Sequence, residues 1–516
     1  MLYDEYVATQ VRSQKRLRRF QRGLPLNFRP FENALAIFEA RAIQVARSVR
    51  KAEIADLRKK LQSGELSSVD LTLHYLRRID RMQKLNAVME LNPDALNHAH
   101  AADRKKAGGP LHGIPVMIKD NIGTGDRMHT TAGAAVLRDA SSDRDARLVE
   151  RLRASGAILL GKTNLSEWAN FFASEPPPNG FSSNGGQTRN PYGAHDVGGS
   201  SSGSGAATAA GLCAAAVGTE THGSIIYPSL CNGLYGLKPS LGLISRDRVI
   251  PITDATDTAG PMARTAADMA VLMDALIGFD PHDPACVEAA EDPRGAVLHV
   301  GGVSHALAQD GLRGRRIGLV RVREGGAMYR EAFAGMRRAL KAAGAVVVDV
   351  TLPKFDAAFV DIMSYGYVQG VASYLEVTQA PVRDLKQVHA FNQEDLARRA
   401  PNGMGRLEKA LRCRWTREEY AVRVREGRAA ARDSIETTLQ AHGLDFIGTF
   451  SPHGFDERFV LAGAPLLALP GGFLSNGRPY GFTLGARWLD DAALVAAAGA
   501  WGRGFQISDF RLKSKI

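Results

Sequence analysis

Apolar residues recur three and four apart through AIFEARAIQVARSVRKAEIADLRKKL, a period that predicts helix over residues 30–62. Gly64 stops it, and Ser67 or Ser68 caps a second helix, SSVDLTLHYLRRIDRM, with Asp70 in its first turn. The pattern then changes. LHGIPVMIKDNI carries a short apolar strand, VMI, that runs into a polar loop. DARLVERLRAS (145–155) reads as an amphipathic helix closed by Gly156, AILL as a strand, and GKTNLSEWAN as the opening of another helix. Alanines with a single glycine from Gly205 to Ala216 predict a helix packed close to its neighbours. Residues 311–322 read as strand, 329–343 as helix and AVVVDVTLP as strand, a unit that implies parallel strands covered by helices. Residues 355–455 hold longer charged helices and no clear strand before FIGTF; a strand PLLALPGG and a hairpin-like GRPYGFTLGARW close the chain. There is no internal repeat and no linker long enough to divide the chain. The pattern predicts one large α/β domain with a helical N-terminal extension.

Composition supports that size. The chain has 516 residues, 45% of them hydrophobic and 23% charged, which is the balance of a globular protein with a sizeable core. No apolar run approaches the roughly 18 residues of a membrane span, so no transmembrane segment is expected. The N-terminus lacks the apolar stretch of a secretory signal, and a cytoplasmic location is the expectation. The four cysteines show no CxxC spacing and the 13 histidines no HExxH, so neither a disulfide framework nor a metal site is indicated. The formal charge is +11, concentrated in part on Arg12, Lys15, Arg16, Arg18, Arg19 and Arg22. Such a cluster could grip nucleic acid or an anionic membrane, but no aromatic-basic module accompanies it. A solvated helix face is the simpler reading, with no nucleic-acid partner.

Two motifs are decoys. GAILLGKT (156–163) matches the phosphate-loop pattern letter for letter, yet Ala, Ile, Leu and Leu belong inside a sheet, where no exposed N–H cradle can form. GSSSG (199–203) matches the nucleophile elbow, yet RNPYGAHDV before it supplies no strand to feed the sharp turn. Nor is GGSSSGSG a flexible linker, since it leads directly into the apolar AATAAGLCAAAVG.

Three separated residues make a better chemical set. Lys119 ends the apolar strand IPVMIK, Ser200 begins the serine cluster, and Ser224 lies in GTETHGSI. Burial disfavours a charged lysine, and a pKa lowered by about three from roughly 10.4 leaves much of the amine neutral near pH 7. A neutral lysine accepts a proton, a serine needs such an acceptor to become a nucleophile, and a second serine between them can pass the proton on. Successive N–H groups of THGS could hold an oxyanion. The same residues also permit plainer roles, with Lys119 reaching water from a strand end and Ser224 capping a turn.

LHGIPVMIKDN, GKTNLSEWAN, GGSSSGSGAATAAG, GTETHGSI and GLKPS stand in the order and spacing of the amidase signature family, which residues 51–516 resemble. The resemblance implies an α/β/α fold around a central mixed sheet, with residues 1–50 as a basic, mainly helical extension and residues 355–455 as a variable substrate-pocket region. It implies a Ser–cis-Ser–Lys triad in which Ser224 is the nucleophile, Ser200 the cis-serine and Lys119 the base. The oxyanion hole would fall to backbone N–H groups of Thr221, His222, Gly223 and Ser224. Much of the family reads TDTGGSIR at the nucleophile; Glu220, His222 and Ile226 depart from it here. Without an arginine at 226, Glu220 loses a usual charge partner, and His222 is tolerated only where its backbone needs no positive φ. TETxGSI, SSNGGQTRNPY and LISRDRVIPI look most like the peptide amidase branch, which hydrolyses C-terminal amides of peptides.

The expected reaction is therefore hydrolysis of a carboxylic amide through an acyl-serine, needing no metal or cofactor, on a small-molecule or peptide amide. Two alternatives stay open: the amidase component of a transamidating complex, and a non-catalytic binding protein on the same fold. Pocket walls are expected from Asn170–Phe172 and the 355–455 region, and a homodimer is left open as the assembly.

Overall fold

In the computed structural model, which describes residues 3–18, 24–105, 108–320, 326–450 and 457–504, thirteen strands form two sheets. The strands are β1 (Val88–Leu91), β2 (Pro115–Lys119), β3 (Ile158–Thr163), β4 (Phe181–Ser182), β5 (Gly186–Gln187) and β6 (Ala215–Glu220). They continue with β7 (Tyr235–Lys238), β8 (Thr258–Ala263), β9 (Arg316–Val320), β10 (Val346–Val350), β11 (Phe446–Thr449), β12 (Leu466–Phe473) and β13 (Pro479–Gly485). β4 and β5 make a small hairpin, and the other eleven form one sheet in the order β1-β3-β2-β6-β8-β7-β12-β13-β11-β9-β10. β2 runs parallel to both β3 and β6, and β9 runs parallel to β10 and β11. β8, β7, β12 and β13 join these two parallel groups through antiparallel pairs. The sheet is mixed and flanked by helices, as the sequence resemblance implies.

β2, β3 and β6 lie at the centre of one half, and every residue in them is buried. Such strands show continuous apolar or small residues rather than alternation, because both faces are covered. This explains two departures from the periodicity reading. The alanines after Gly211 do not extend a helix: the helix is Ser202–Ala209, Gly211 turns left-handed with φ +67°, and Ala215–Glu220 is the strand β6. GKT likewise belongs to β3, and no helix opens there. The side chains of Asn164 and Ser166 bond neighbouring loops, and only a single turn forms, at Glu167–Asn170. The phosphate-loop match is thereby disposed of, since Lys162 is buried and donates to Ile122 O at 2.6 Å.

The helix expected over 30–62 is three shorter ones, Glu32–Phe38, Ala42–Val49 and Ile54–Ser63, broken around Arg41 and at the left-handed Lys51 (φ 61°). Breaks let each piece turn its own apolar residues, Phe38, Val45 and Ile54 among them, toward the main core. Ser67 does cap the next helix, Ser68–Arg81, and Asp70 completes the reciprocal box. GRPYGFTLGARW contributes one strand, β13, whose hairpin partner is PLLALPGG. The N-terminal helix α1 (Tyr3–Leu17) presents Arg12, Lys15 and Arg16 to solvent, as a solvated face would, whereas Arg18, just past its end, is half-buried; Arg19 and Arg22 lie outside the described residues. Helices Phe359–Glu376 and Gly405–Leu411 pack with Trp168, Phe171 and Phe172 in a separate apolar cluster that walls the site below. Among the described residues no helix is long and apolar enough to cross a membrane.

Candidate active site

Lys119 is the last residue of β2, and the parallel register with β6 (Ile118 beside Val217) sends its side chain toward the end of that neighbour. There Nζ lies 2.8 Å from Ser200 Oγ, 2.8 Å from Thr219 Oγ1 and 3.1 Å from Thr219 O, with no solvent exposure. Asn121 Nδ2 donates to the same Thr219 hydroxyl at 3.0 Å. Burial lowers the Lys119 pKa from 10.5 to about 7, opposed by the negative charges of Asp257 and Glu220. The amine is thus poised between its two forms at neutral pH.

Ser200 follows a cis peptide bond with Gly199. The turn before it needs glycine: Gly198 has φ +72°, and a Cβ there would meet Pro228 Cα at 2.7 Å. Ser201 N donates to Ser224 O at 3.2 Å, which ties the serine cluster directly to the segment carrying Ser224. Ser201 Oγ donates to Thr219 O at 3.1 Å. The serine cluster before the helix Ser202–Ala209 and the end of β6 therefore converge on Lys119, and the Thr221–Ser224 turn is tied to them through Ser224 O.

That turn runs from the end of β6 into the helix Ile226–Asn232. Positive φ falls on Gly223 (+80°) and not on His222, so the histidine is tolerated for the reason the sequence suggested. The His222 ring meets Phe359 edge-on at 5.6 Å. Glu220, with no arginine at 226, uses the backbone instead: Oε2 accepts from Ile225 N at 2.6 Å and Ile226 N at 2.9 Å. Thr221 Oγ1 donates to Asp257 Oδ1 at 2.5 Å, and Asp257 Oδ2 accepts from Ile252 N and Thr253 N at 2.7 and 3.0 Å. Burial pushes the Asp257 carboxyl up to about 6.

Thr221, His222, Gly223 and Ser224 line a cleft of about 790 Å³ together with Gly199. Its other walls include Asn170, Phe171, Phe359, Met363 and Arg406, so both expected wall regions contribute, whereas Phe172 lies on a separate small pocket. A second cavity of about 710 Å³ reaches Asn121 and Thr219, and borders the first at Ala169, Thr221 and Ile252. Periodicity and motif reading missed Thr219, Asn121 and Asp257, which surround the lysine. Thr219 could have been found only by knowing that β6 lies beside β2; nothing local marks Asp257.

Residues 70–451 match the family model described as Amidase. A probable amidase of Arabidopsis thaliana is 35% identical over 487 residues, covering 88% of this chain and 90% of that protein. A glutamyl-tRNA(Gln) amidotransferase component of Burkholderia pseudomallei is 40% identical over 309 residues, 58% of this chain and 61% of the relative. Among solved structures, native peptide amidase from Stenotrophomonas maltophilia superposes with a TM-score of 0.81 at 38% identity, covering 89% of this chain and 99% of that one. The chain belongs to the amidase family and is an amide-hydrolysing enzyme.

Proposed function

We propose that Ser224, Ser200 and Lys119 hydrolyse a carboxylic amide through an acyl-serine, and that C-terminal amides of peptides are the substrates. The observation that carries the chemistry is the buried contact of Lys119 Nζ with Ser200 Oγ at 2.8 Å, beside two acceptors from Thr219. A neutral amine has two hydrogens and one lone pair. Thr219 O and Oγ1 take the hydrogens, so the lone pair faces the Ser200 hydroxyl. Ser200 Oγ in turn can accept a proton from Ser224, whose segment is bonded to its own through Ser201. Ser224 Oγ attacks the carbonyl carbon, its proton passes to Ser200, and the Ser200 proton passes to Lys119. N–H groups of the Thr221–Ser224 turn stabilise the resulting oxyanion. As the C–N bond breaks, the leaving amine takes a proton back along the relay, and water then releases the acid from the acyl ester.

Peptide amides are supported by the near full-length similarity to the peptide amidase. The cleft agrees with such a substrate: apolar Phe171, Phe359 and Met363 can take side chains, while Arg406, Lys409, Asp356 and Asp361 offer both charges to backbone and termini. The amidotransferase component matches a smaller share of both chains, and transamidation is accordingly the weaker reading. The test is fluorophosphonate labelling with peptide mapping, alongside ammonia release from peptide amides, aliphatic amides and esters. Modification of Ser224 and preferred turnover of peptide amides are expected. Labelling elsewhere overturns the triad, and preferred turnover of non-peptide amides overturns the substrate.

A further inference from the structure

Helix α1 docks through a stripe that is half polar. Val7, Gln10, Gln14 and Leu17 fall three and four apart on one face, and all four are buried. Docking for bulk stability would favour apolar residues at every one of these positions, because a buried amide costs free energy unless it finds hydrogen-bond partners. Gln10 pairs both ends of its amide and Gln14 pairs its NH2 group, at the same place, while Gln14 Oε1 has no partner among the described residues. Gln10 Nε2 donates to Pro177 O at 2.9 Å while its Oε1 accepts from Asn179 N at 2.9 Å. Gln14 Nε2 donates to Asp196 Oδ1 at 2.6 Å. The same Asp196 accepts from Gly198 N at 3.0 Å and from Tyr227 Oη at 2.5 Å. Helix α1 is thereby fixed in register against the turn that carries Ser200 and against the helix that follows Ser224.

This register delivers Tyr6 to the cleft. Tyr6 is one of the side chains lining it, its ring 6.1 Å from that of Tyr227 and tilted by 57°, its Oη accepting from Asn179 Nδ2 at 3.3 Å. A primary amide releases only ammonia, so whatever fills a cleft of about 790 Å³ belongs to the acyl side of the substrate. We propose that Tyr6, carried in by the N-terminal helix, is a specificity-determining residue that limits the bulk of the acyl group presented to Ser224. This rests on the reading of Ser224 as the nucleophile. It gives the first residues of the chain a role in substrate choice, separate from the exposed charges of Arg12, Lys15 and Arg16.

The experiment measures kcat and KM for N-acetyl amino-acid amides with side chains from glycine to tryptophan. It uses the full-length chain and the variants Tyr6→Ala, Tyr6→Trp and the double variant Gln10→Ala/Gln14→Ala. Fluorophosphonate labelling of Ser224 is followed in each. Tyr6→Ala is expected to raise the kcat/KM ratio of the tryptophan amide to the glycine amide roughly tenfold, mainly through KM, the scale on which apolar pockets discriminate. Tyr6→Trp is expected to lower that ratio, and the double variant to follow Tyr6→Ala because α1 loses its register. Should Tyr6→Ala fail to fold, Tyr6→Trp, which adds bulk while keeping the aromatic packing, decides alone. Variant profiles that superimpose on that of the parent chain, with Ser224 labelled normally, overturn the proposal. A parent chain that neither labels at Ser224 nor releases ammonia from any amide overturns the underlying catalytic reading, and this one with it.

Discussion

With Lys119 as the proposed base, its burial predicts the pH dependence of turnover. Its pKa falls from 10.5 to about 7, which corresponds to about 5 kcal/mol between charged and neutral forms. At pH 7 an ordinary lysine has about one neutral amine in 3,000, whereas here about half the molecules are ready to accept a proton. Because only the neutral form works as a base, kcat/KM should rise with pH and level off on the alkaline side. Relative to that plateau, about a tenth of the rate should remain at pH 6 and about a hundredth at pH 5. The assay is kcat/KM for an uncharged amide from pH 5 to 9.5, with circular dichroism at each pH to exclude unfolding. The sign can be checked independently through the anions that oppose burial. Asp257 and Glu220 both hold the Lys119 pKa up, so Asp257→Asn or Glu220→Gln should move the acid limb to lower pH. A profile flat from pH 5 to 9, a midpoint near 10, or a limb that moves to higher pH in Asp257→Asn would refute Lys119 as the base.

Three further outcomes are expected. Ser224→Ala and Lys119→Ala should lower kcat by about 10⁴ or more while Ser200→Ala keeps a measurable trace, read by ammonia release under single-turnover conditions. Glu220→Ala leaves Ile225 N and Ile226 N without their acceptor, at a cost of about 1–3 kcal/mol each, and should lower both the denaturation midpoint and activity. Glu220→Gln keeps an acceptor oxygen and should recover most of that stability. Gly198→Ala forces a Cβ to within 2.7 Å of the Pro228 backbone at a left-handed position, so activity and melting temperature should fall together.

How far the sequence could be read depends on how local the determining contacts are. Lys119, Ser200 and Ser224 were legible because each sits at an abrupt change of pattern. One is a charge ending an apolar strand; the others are serines set among glycines that only a close-packed turn requires. The β9–helix–β10 unit was legible for a similar reason, since short apolar runs, IGLV and VVV, flank a stretch of helical period. Where both faces of an element are buried, periodicity carries no information: Ala215–Ala216 could extend a helix or open a strand until Gly211 is known to turn left-handed. The surroundings of Lys119 were hidden by distance along the chain. Thr219 reaches Lys119 only because β6 is the parallel neighbour of β2, and Asp257 acts across a sheet pairing.

The N-terminal helix shows how such distance can mislead about importance. In its most visible feature, the run of arginines and lysines, Arg12, Lys15 and Arg16 are exposed, whereas two inconspicuous glutamines bind the segment that shapes the serine turn. Charge attracts notice in a sequence because it is rare inside proteins, yet a buried amide constrains position more tightly. Gln10 satisfies a donor and an acceptor at once, Gln14 sets its NH2 group on Asp196, and a one-residue slip of the helix would break all three bonds. Replacing the exposed Arg12 and Lys15 by glutamine should therefore leave the acyl-size profile where it was, while loss of the two buried amides should shift it. The two sets of variants, measured side by side, separate what the helix contributes through charge from what it contributes through fit.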